Sequence, residues 1–295
     1  MWMISLPAWG DHYVEMLLRY TLPSLHACQP PKEKMFIVVH TDQPDRVRPA
    51  LEGFAHDIRP VPLCEDGRRS YLSMSRAHAE VIGLAPVGSI VTLMCADVIF
   101  STECFTAAEQ RFAEGKKAVC CAGSRTVGPL FGNAPPIGVK ARDLLAWSMI
   151  HRHPIIVQCF WPYGHSPIPS QIYFEDKEGI TARVFTPCLF AMVKDRELAF
   201  TGTIDRDLLE VFDRSEIHVV TSRDEMAVVE ISPIYKTFGV TDERMTPASV
   251  ASWAKGYPLS DLNYWFFSHR LEITGPGGDI DQRAHDAIMQ EVAVC

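Results

Sequence analysis

The sequence predicts an α/β fold, a doubly wound and mostly parallel sheet followed by a smaller C-terminal α+β part. Three observations predict it. Strand-like and helix-like segments alternate regularly through the first half of the chain, which is the pattern of a parallel sheet with helices on both faces. The strand candidates KMFIVVHTDQ and SIVTLMCADVIFS are apolar on both faces, as strands covered by helices must be. Past residue 128 the alternation stops, and turn-rich, aromatic segments take over. We expect residues 1–128 to form a ligand-binding α/β half and 129–295 a second half of the same globular unit.

In order, MWMISLPAW reads as a short buried strand. DHYVEMLLRYTLPSLHAC then has Tyr13, Met16, Leu17, Tyr20 and Leu25 on one side of a helix, with Asp11 placed to cap it and Pro23 to bend or end it. KMFIVVHTDQ is the second strand, PDRVRPALEGF a short helix opened by Pro44, and DIRPVPLC a third strand. RRSYLSMSRAHAEVIGLAPVG is a helix stopped at Pro86 and Gly88. The apolar run 89–101 is the fourth strand, STECFTAAEQRFAEGKKA an amphipathic helix capped by Ser101, and KAVCCAGSRTVG one more strand. GPLFGNAPPIG is a connector, KARDLLAWSMIHRHP a helix, and WPYGHSPIPSQ a loop dense in Pro, Gly and aromatic residues. Strands follow in ITARVFTPCLFAMV and EIHVVTSRD, with the short helix TGTIDRDLLEVF between them. Residues 241–295 read as helices broken by a loop at 274–279.

The 295 residues are 47% hydrophobic, enough for a sizeable core, and 22% charged without any long polar tract. A net charge of -8 argues against a nonspecific nucleic-acid binder. Nine cysteines at irregular spacing, several inside apolar runs, read as buried reduced thiols. The N-terminus lacks the basic and apolar regions of a signal peptide, and no window is apolar enough to span a membrane. We expect a cytoplasmic protein, compatible with peripheral attachment at the inner face of the membrane. GxxxxGK[ST], GxSxG and a GxGxxG after the first strand are absent, which excludes the usual P-loop, hydrolase and dinucleotide readings.

The run 89–101 carries one acid, Asp97. Burying an ionised carboxylate without partners costs several kcal/mol, so Asp97 has either a structural brace or a ligand. In doubly wound sheets ligands bind beyond the carboxyl ends of the strands. Pro7–Gly10, His40–Asp42, Asp97 and Ser124–Arg125 all fall there. The layout of residues 3–128, with Cys95-Ala96-Asp97 ending the fourth strand, resembles the GT-A class of glycosyltransferases. In that class an Asp-x-Asp motif at this point faces a sugar diphosphate. Here Cys95 stands in place of the first Asp.

The resemblance implies a nucleotide-diphospho-sugar donor and a glycan or lipid-linked acceptor, in bacterial polysaccharide or envelope glycan synthesis. It implies Asp97 as the donor-facing residue and as the anchor of a divalent ion, Mn or Mg, if one is used. A lone carboxylate is a weak anchor, although Mg²⁺ is often held by one or two carboxylates with substrate phosphates and water, so the ion binds mainly with the donor present or not at all. His218 is a candidate distal metal ligand. Pro7 and Gly10 shape the first loop, and Trp9 either stacks on the base or packs on the first helix. Asp42 either meets the base or ribose or caps the helix at Pro44. Arg68, Arg69 and Arg76 bring positive charge, and Arg76 suits the diphosphate. For an acceptor base, Asp205 or Asp207 comes first and Asp224 second, each with a capping or charged-turn alternative. Trp161, Tyr163 and His165 are the acceptor-facing candidates, since aromatic faces stack on sugar rings. The competing readings are a nucleotidyltransferase and a noncatalytic sugar-binding or partner-binding protein of the same fold.

Overall fold

A computed structural model describes residues 1–28, 34–64, 67, 69–196, 198, 208–233, 243–257 and 259–294. The chain forms two compact units, each assembled from separated segments. Met1–Cys121, Ile137–Val139 and Cys188–His218 make the first, and Ala122–Pro136, Lys140–Pro187 and Val219–Cys295 the second. Among the described residues, no helix is long and apolar enough to cross a membrane.

The first unit is the expected mostly parallel α/β sheet. Its elements are β1 (Trp2–Ala8), α1 (Gly10–Met16), α2 (Leu22–Ala27), β2 (Met35–Thr41), α3 (Pro44–Val47), β3 (Ala55–Arg59), α4 (Tyr71–Leu84), β4 (Ile90–Leu93), β5 (Val98–Phe100), α5 (Cys104–Ala113) and β6 (Ala118–Cys121). The seven-stranded sheet runs Ile217–Val219, β6, Cys188–Val193, β4, β1, β2, β3. β1 is parallel to both β2 and β4, and β2 is parallel to β3. Cys188–Val193 enters antiparallel to both β4 and β6.

Alternation along β1 shows the double winding. Ser5 Oγ lies 2.9 Å from Nδ1 of His78 on α4, whereas the indole of Trp2 meets Phe105 of α5 edge-on at 4.8 Å. Odd and even residues of a strand point to opposite faces, so helices cover both. The end of α4 is closed by Lys194, whose buried Nζ donates to the carbonyls of Ile82 (2.8 Å) and Ala85 (2.9 Å). A cation at a helix C-terminus satisfies carbonyls that lack intrahelical partners.

His78 is fully buried, and that burial, with His40 nearby, pushes its pKa down from 6.5 to about 3. Between those values the unfolded chain binds a proton that the folded chain does not. Stability therefore falls as pH falls through that window, by up to about 1.4 kcal/mol per pH unit. His78→Asn keeps a polar partner for Ser5 and cannot titrate. In urea unfolding, the wild-type advantage over this variant is expected to shrink from neutral to acid pH. A pH-independent difference would refute the assignment.

Three strand readings are corrected. KAVCCAGSRTVG is two strands, β6 and Ser124–Thr126, which join different sheets. The run 89–101 is two strands, β4 and β5, separated by a turn at Ala96–Asp97. ITARVFTPCLFAMV is also two strands, Gly179–Val184 and Cys188–Val193, and they join different sheets.

In the second unit, Gly179–Val184 pairs antiparallel with Gln171–Asp176, flanked by Leu271–Glu272 and Phe160–Trp161. Ser124–Thr126 pairs parallel with Val228–Ile231. The tail is helical at Pro247–Gly256, Asp261–Phe267 and Asp279–Val294, with the expected break in the 270s. The core holds Ile172, Phe174, Phe185, Val250, Phe267 and Ile288, with the Phe185 and Phe267 rings stacked at 4.0 Å.

Candidate functional site

The first unit has a topological switch point between β1 and β4. From β1 the chain proceeds outward through β2 and β3, while β4 adds on the opposite side. Such points open a crevice at the carboxyl ends of the strands. The ladder shows where it opens. β1 pairs with β2 as far as Ala8 and Thr41, but with β4 only as far as Ser5 and Leu93. Ser5 O faces β4, since it accepts from Met94 N at 3.1 Å. Two residues on, the Pro7 nitrogen faces the same way, past the end of the ladder. Proline lacks the N–H that a ladder requires, so Pro7 fits where the partner strand has ended.

Asp42, just beyond β2, reaches across this edge. Its Oδ1 accepts from Gly10 N at 3.1 Å, and its Oδ2 accepts from Arg69 Nη1 at 2.5 Å. Gly10 is the first residue of α1, and Trp9, its half-buried N-cap, provides no side-chain cap. Asp42 therefore serves an orphan N–H at the start of α1 from a neighbouring strand. This differs from both capping expectations. α3 is preceded by Gln43, with no side-chain cap, and Asp11 lies exposed within α1, 3.2 Å from Arg46. Gly10 has φ +72, and a Cβ there would meet nothing within 4 Å. Its backbone needs glycine, and the space above it is open. Arg76 is exposed on α4 and donates to Leu63 O at 2.6 Å, tying down the preceding loop. Arg68 lies outside the described residues.

The turn bearing Asp97 is braced from behind. Between α1 and α2 the helix widens into a π segment, Leu17–Thr21, the kind of bulge that re-aims side chains. Buried Thr21 places Oγ1 2.8 Å from Ala96 O and 2.7 Å from Val98 O, and Ser24 Oγ accepts from Phe100 N at 3.2 Å. Thr21→Val would leave those carbonyls without their buried donor, an expected loss of about 1–3 kcal/mol. Urea unfolding checks it, with Thr21→Ser expected to recover most of the loss. Asp97 itself is 1% exposed, so in this conformation solvent does not reach it. Cys95 Sγ lies 3.5 Å from Met74 Sδ.

Beneath the edge, His40 Nε2 meets Glu80 Oε2 at 3.1 Å, and Arg59 bonds both Glu80 and Asp57. Burial holds the His40 pKa below its usual value despite the Glu80 carboxylate, which raises it.

The structure does not bring His218 and Asp97 together as a metal pair. His218 lies on the edge strand Ile217–Val219, beside β6 and three strands away from β4. Asp97 follows the carboxyl end of β4. Among the described residues, no group of three or more His, Cys, Asp or Glu side chains is placed to hold a metal ion. The residues around Asp97 do not by themselves make a metal cage.

Of the acceptor-side candidates, Asp205 and Asp207 lie outside the described residues. Asp224 forms an ion pair with Arg142 at 2.5 Å. Trp161 packs against the second unit's core, Tyr163 is 71% exposed with Arg244 5.8 Å from its ring centre, and His165 is half-buried. The same loop continues into a cleft of about 400 Å³ lined by Ser166, Pro167, Pro169, Glu243, Arg244, Met245, Ser249 and Trp253. Sequence reasoning passed over Trp253 and Arg244. Their signal was an aromatic residue and a charge flanking the Thr246–Pro247 helix start.

No family model matches the chain, and no curated protein matches it in sequence. Similar solved structures include Staphylococcus aureus TarS in complex with UDP-GlcNAc, at 15% identity and TM-score 0.35 over 43% of this chain and 35% of that one. They also include 4-diphosphocytidyl-2C-methyl-D-erythritol synthase from Anaerococcus prevotii, at 15% identity and TM-score 0.39 over 86% and 95%. A third is the inositol-1-phosphate CTP transferase from T. maritima, at 10% identity and TM-score 0.39 over 78% and 88%. The match thus spans about a third of the TarS 1–349 chain.

Proposed function

We propose that the chain is a glycosyltransferase. It binds a nucleotide-diphospho-sugar in the crevice between β1 and β4 and passes the sugar to a glycan or lipid-linked acceptor. The observation that carries this is the Asp42 carboxylate held between Gly10 N–H and Arg69 at the carboxyl edge of the sheet. A fixed carboxylate accepts hydrogen bonds from base or ribose. The guanidinium it holds in place is a cation for the departing diphosphate. Trp9, next to Gly10, offers a stacking face. Asp97 and Arg76 remain donor-side proposals, and Asp205, Asp207 and Asp224 proposals for the base that an inverting transfer needs. A divalent ion, if used, would share Asp97 with donor phosphates. Residence at the cytoplasmic face of a membrane belongs to the same proposal.

The burial of Asp97 and the cysteine at position 95 favour a second reading, a sugar-nucleotide-binding protein without transferase activity. A thermal-shift panel of UDP-, GDP-, CMP- and TDP-sugars, with and without Mn²⁺, tests binding, and a donor-hydrolysis assay separates the readings. A shift with hydrolysis supports the transferase, and a shift without hydrolysis supports the second reading. No shift from any donor overturns both.

A further inference from the structure

The sheet of the first unit sets two thiols face to face. In the antiparallel ladder between β6 and the strand Cys188–Val193, Cys121 stands directly opposite Cys188. Both are free cysteines, Cys121 2% exposed and Cys188 half-buried. Directly opposite residues share a face of the sheet, with Cβ atoms about 4.5–5.5 Å apart. A disulfide spans about 3.5–4.5 Å between Cβ atoms, so the register asks for only a small closing movement. The place permits one. Cys121 is the last residue of β6 and Cys188 the first of its own strand, so the pair ends the ladder. The register also shifts close by, between Leu189 and Ala191, and such bulges let a strand bend. Cys120 has no such opportunity, because it lies opposite Leu189 and points to the other face.

The strand Cys188–Val193 is antiparallel to β4 as well as to β6, so β6 ends on the same edge of the sheet as β4. Cys121 closes the leading segment of the first unit and Cys188 opens its returning segment. A bond between them would close residues 122–187 into a loop. Cys28 and Cys104 are placed differently. Cys28 Sγ donates to the carbonyls of Ser24 at 3.1 Å and Ser101 at 3.3 Å, Cys104 Sγ lies 3.3 Å from Ser101 Oγ, and both residues are buried. Burial pushes the Cys28 thiol up, so the thiolate that exchange requires is scarce there.

We propose that Cys121 and Cys188 form a reversible modification site, oxidised to a disulfide by a low-molecular-weight disulfide and released by a dithiol reductant. Cys188 is the entry point, since it is the partly exposed member of the pair. Its thiolate attacks one sulfur of RS–SR, forming a Cys188–SR mixed disulfide and expelling RS⁻. The Cys121 thiolate then attacks Cys188 Sγ, forming the Cys121–Cys188 bond and expelling the second RS⁻. The protons given up by the two cysteines end on the two RS⁻ groups. The pair is oxidised by two electrons, and the small disulfide is reduced to two thiols. This site stands independently of the transferase reading.

The folded full chain, treated with oxidised glutathione, alkylated and digested without reduction, tests this by peptide mass spectrometry. A Cys121 peptide joined to a Cys188 peptide, two hydrogens lighter than the reduced pair, is expected, and dithiothreitol is expected to remove it. Cys188→Ser, at a half-buried position, is expected to abolish the link while circular dichroism shows the fold retained. Cys64→Ser, also half-buried, is expected to form the link as wild type does. The linked chain is expected to unfold at higher urea than the reduced chain, because a closed loop constrains the unfolded state. Any of three results overturns the assignment. The folded chain yields no Cys121–Cys188 link, Cys188 stops at the glutathione adduct or joins another cysteine, or the linked chain unfolds at lower urea than the reduced one.

Discussion

Asp42→Ala is expected to lose most of the stabilisation that a sugar nucleotide gives the wild-type chain. A ligand at 100 times its Kd adds about 2.7 kcal/mol. Removing a charged partner that holds both a backbone donor and a cation weakens binding by about two orders of magnitude. At the same ligand concentration the variant would then keep only about 0.4 kcal/mol of shift. The substitution also carries a ligand-independent cost, because Gly10 N–H loses its acceptor and Arg69 its counter-ion. Loss of a cap costs about 1 kcal/mol, so the shift must be measured from the variant's own ligand-free baseline. Asp42→Asn keeps an oxygen for Gly10 and drops the charge, and is expected to fall between the two. If Asp42→Ala responds to its best donor as strongly as wild type does, the crevice between β1 and β4 is not the donor site.

The second large effect concerns stability. Arg183 and Asp281 form an ion pair with side chains 2% and 1% exposed. Thr181 Oγ1 donates to Asp281 at 2.8 Å, while Arg183 donates to Ser268 O at 2.8 Å, Phe267 O at 3.3 Å and Gln282 Oε1 at 3.0 Å. The network ties the strand Gly179–Val184 to the ends of two tail helices. Asp281→Ala strands a buried guanidinium and is expected to cost about 3–5 kcal/mol. The pair replacement Arg183→Met with Asp281→Leu removes both charges and is expected to recover a large part of that. The recovery is incomplete because the Phe267 and Ser268 carbonyls lose their donor. Urea unfolding of the three proteins checks both statements. A cost below about 1 kcal/mol for Asp281→Ala, the range of exposed pairs, would mean that the pair is solvated.

These residues also show what was legible. Val38 and Val39 in an all-apolar run, and the alternation of strand and helix, announce a covered parallel sheet because period and burial are local properties. Pro7, Gly10 and Asp42 could be placed at strand ends for the same reason. Arg183 and Asp281 lie 98 positions apart. Each reads locally as an exposed charge, Arg183 on an alternating strand and Asp281 in the first turn of a helix. Burial turned them into a network.

By itself the sequence determined that strand and helix alternate through residues 1–128 as in a covered, mostly parallel sheet, and that polar residues gather where those strands end. Hydrophobic period and turn chemistry act over a few residues and are written in the chain. Tertiary structure alone decided that Cys188–Val193 returns to the first sheet, antiparallel between β4 and β6. It also decided that Asp42 caps α1 rather than its own neighbouring helix, and that Asp97 sits in a turn braced by Thr21 and is closed to solvent. Those outcomes depend on which long-range partner offers the missing hydrogen bond, and a buried polar group takes the partner that packing brings within reach.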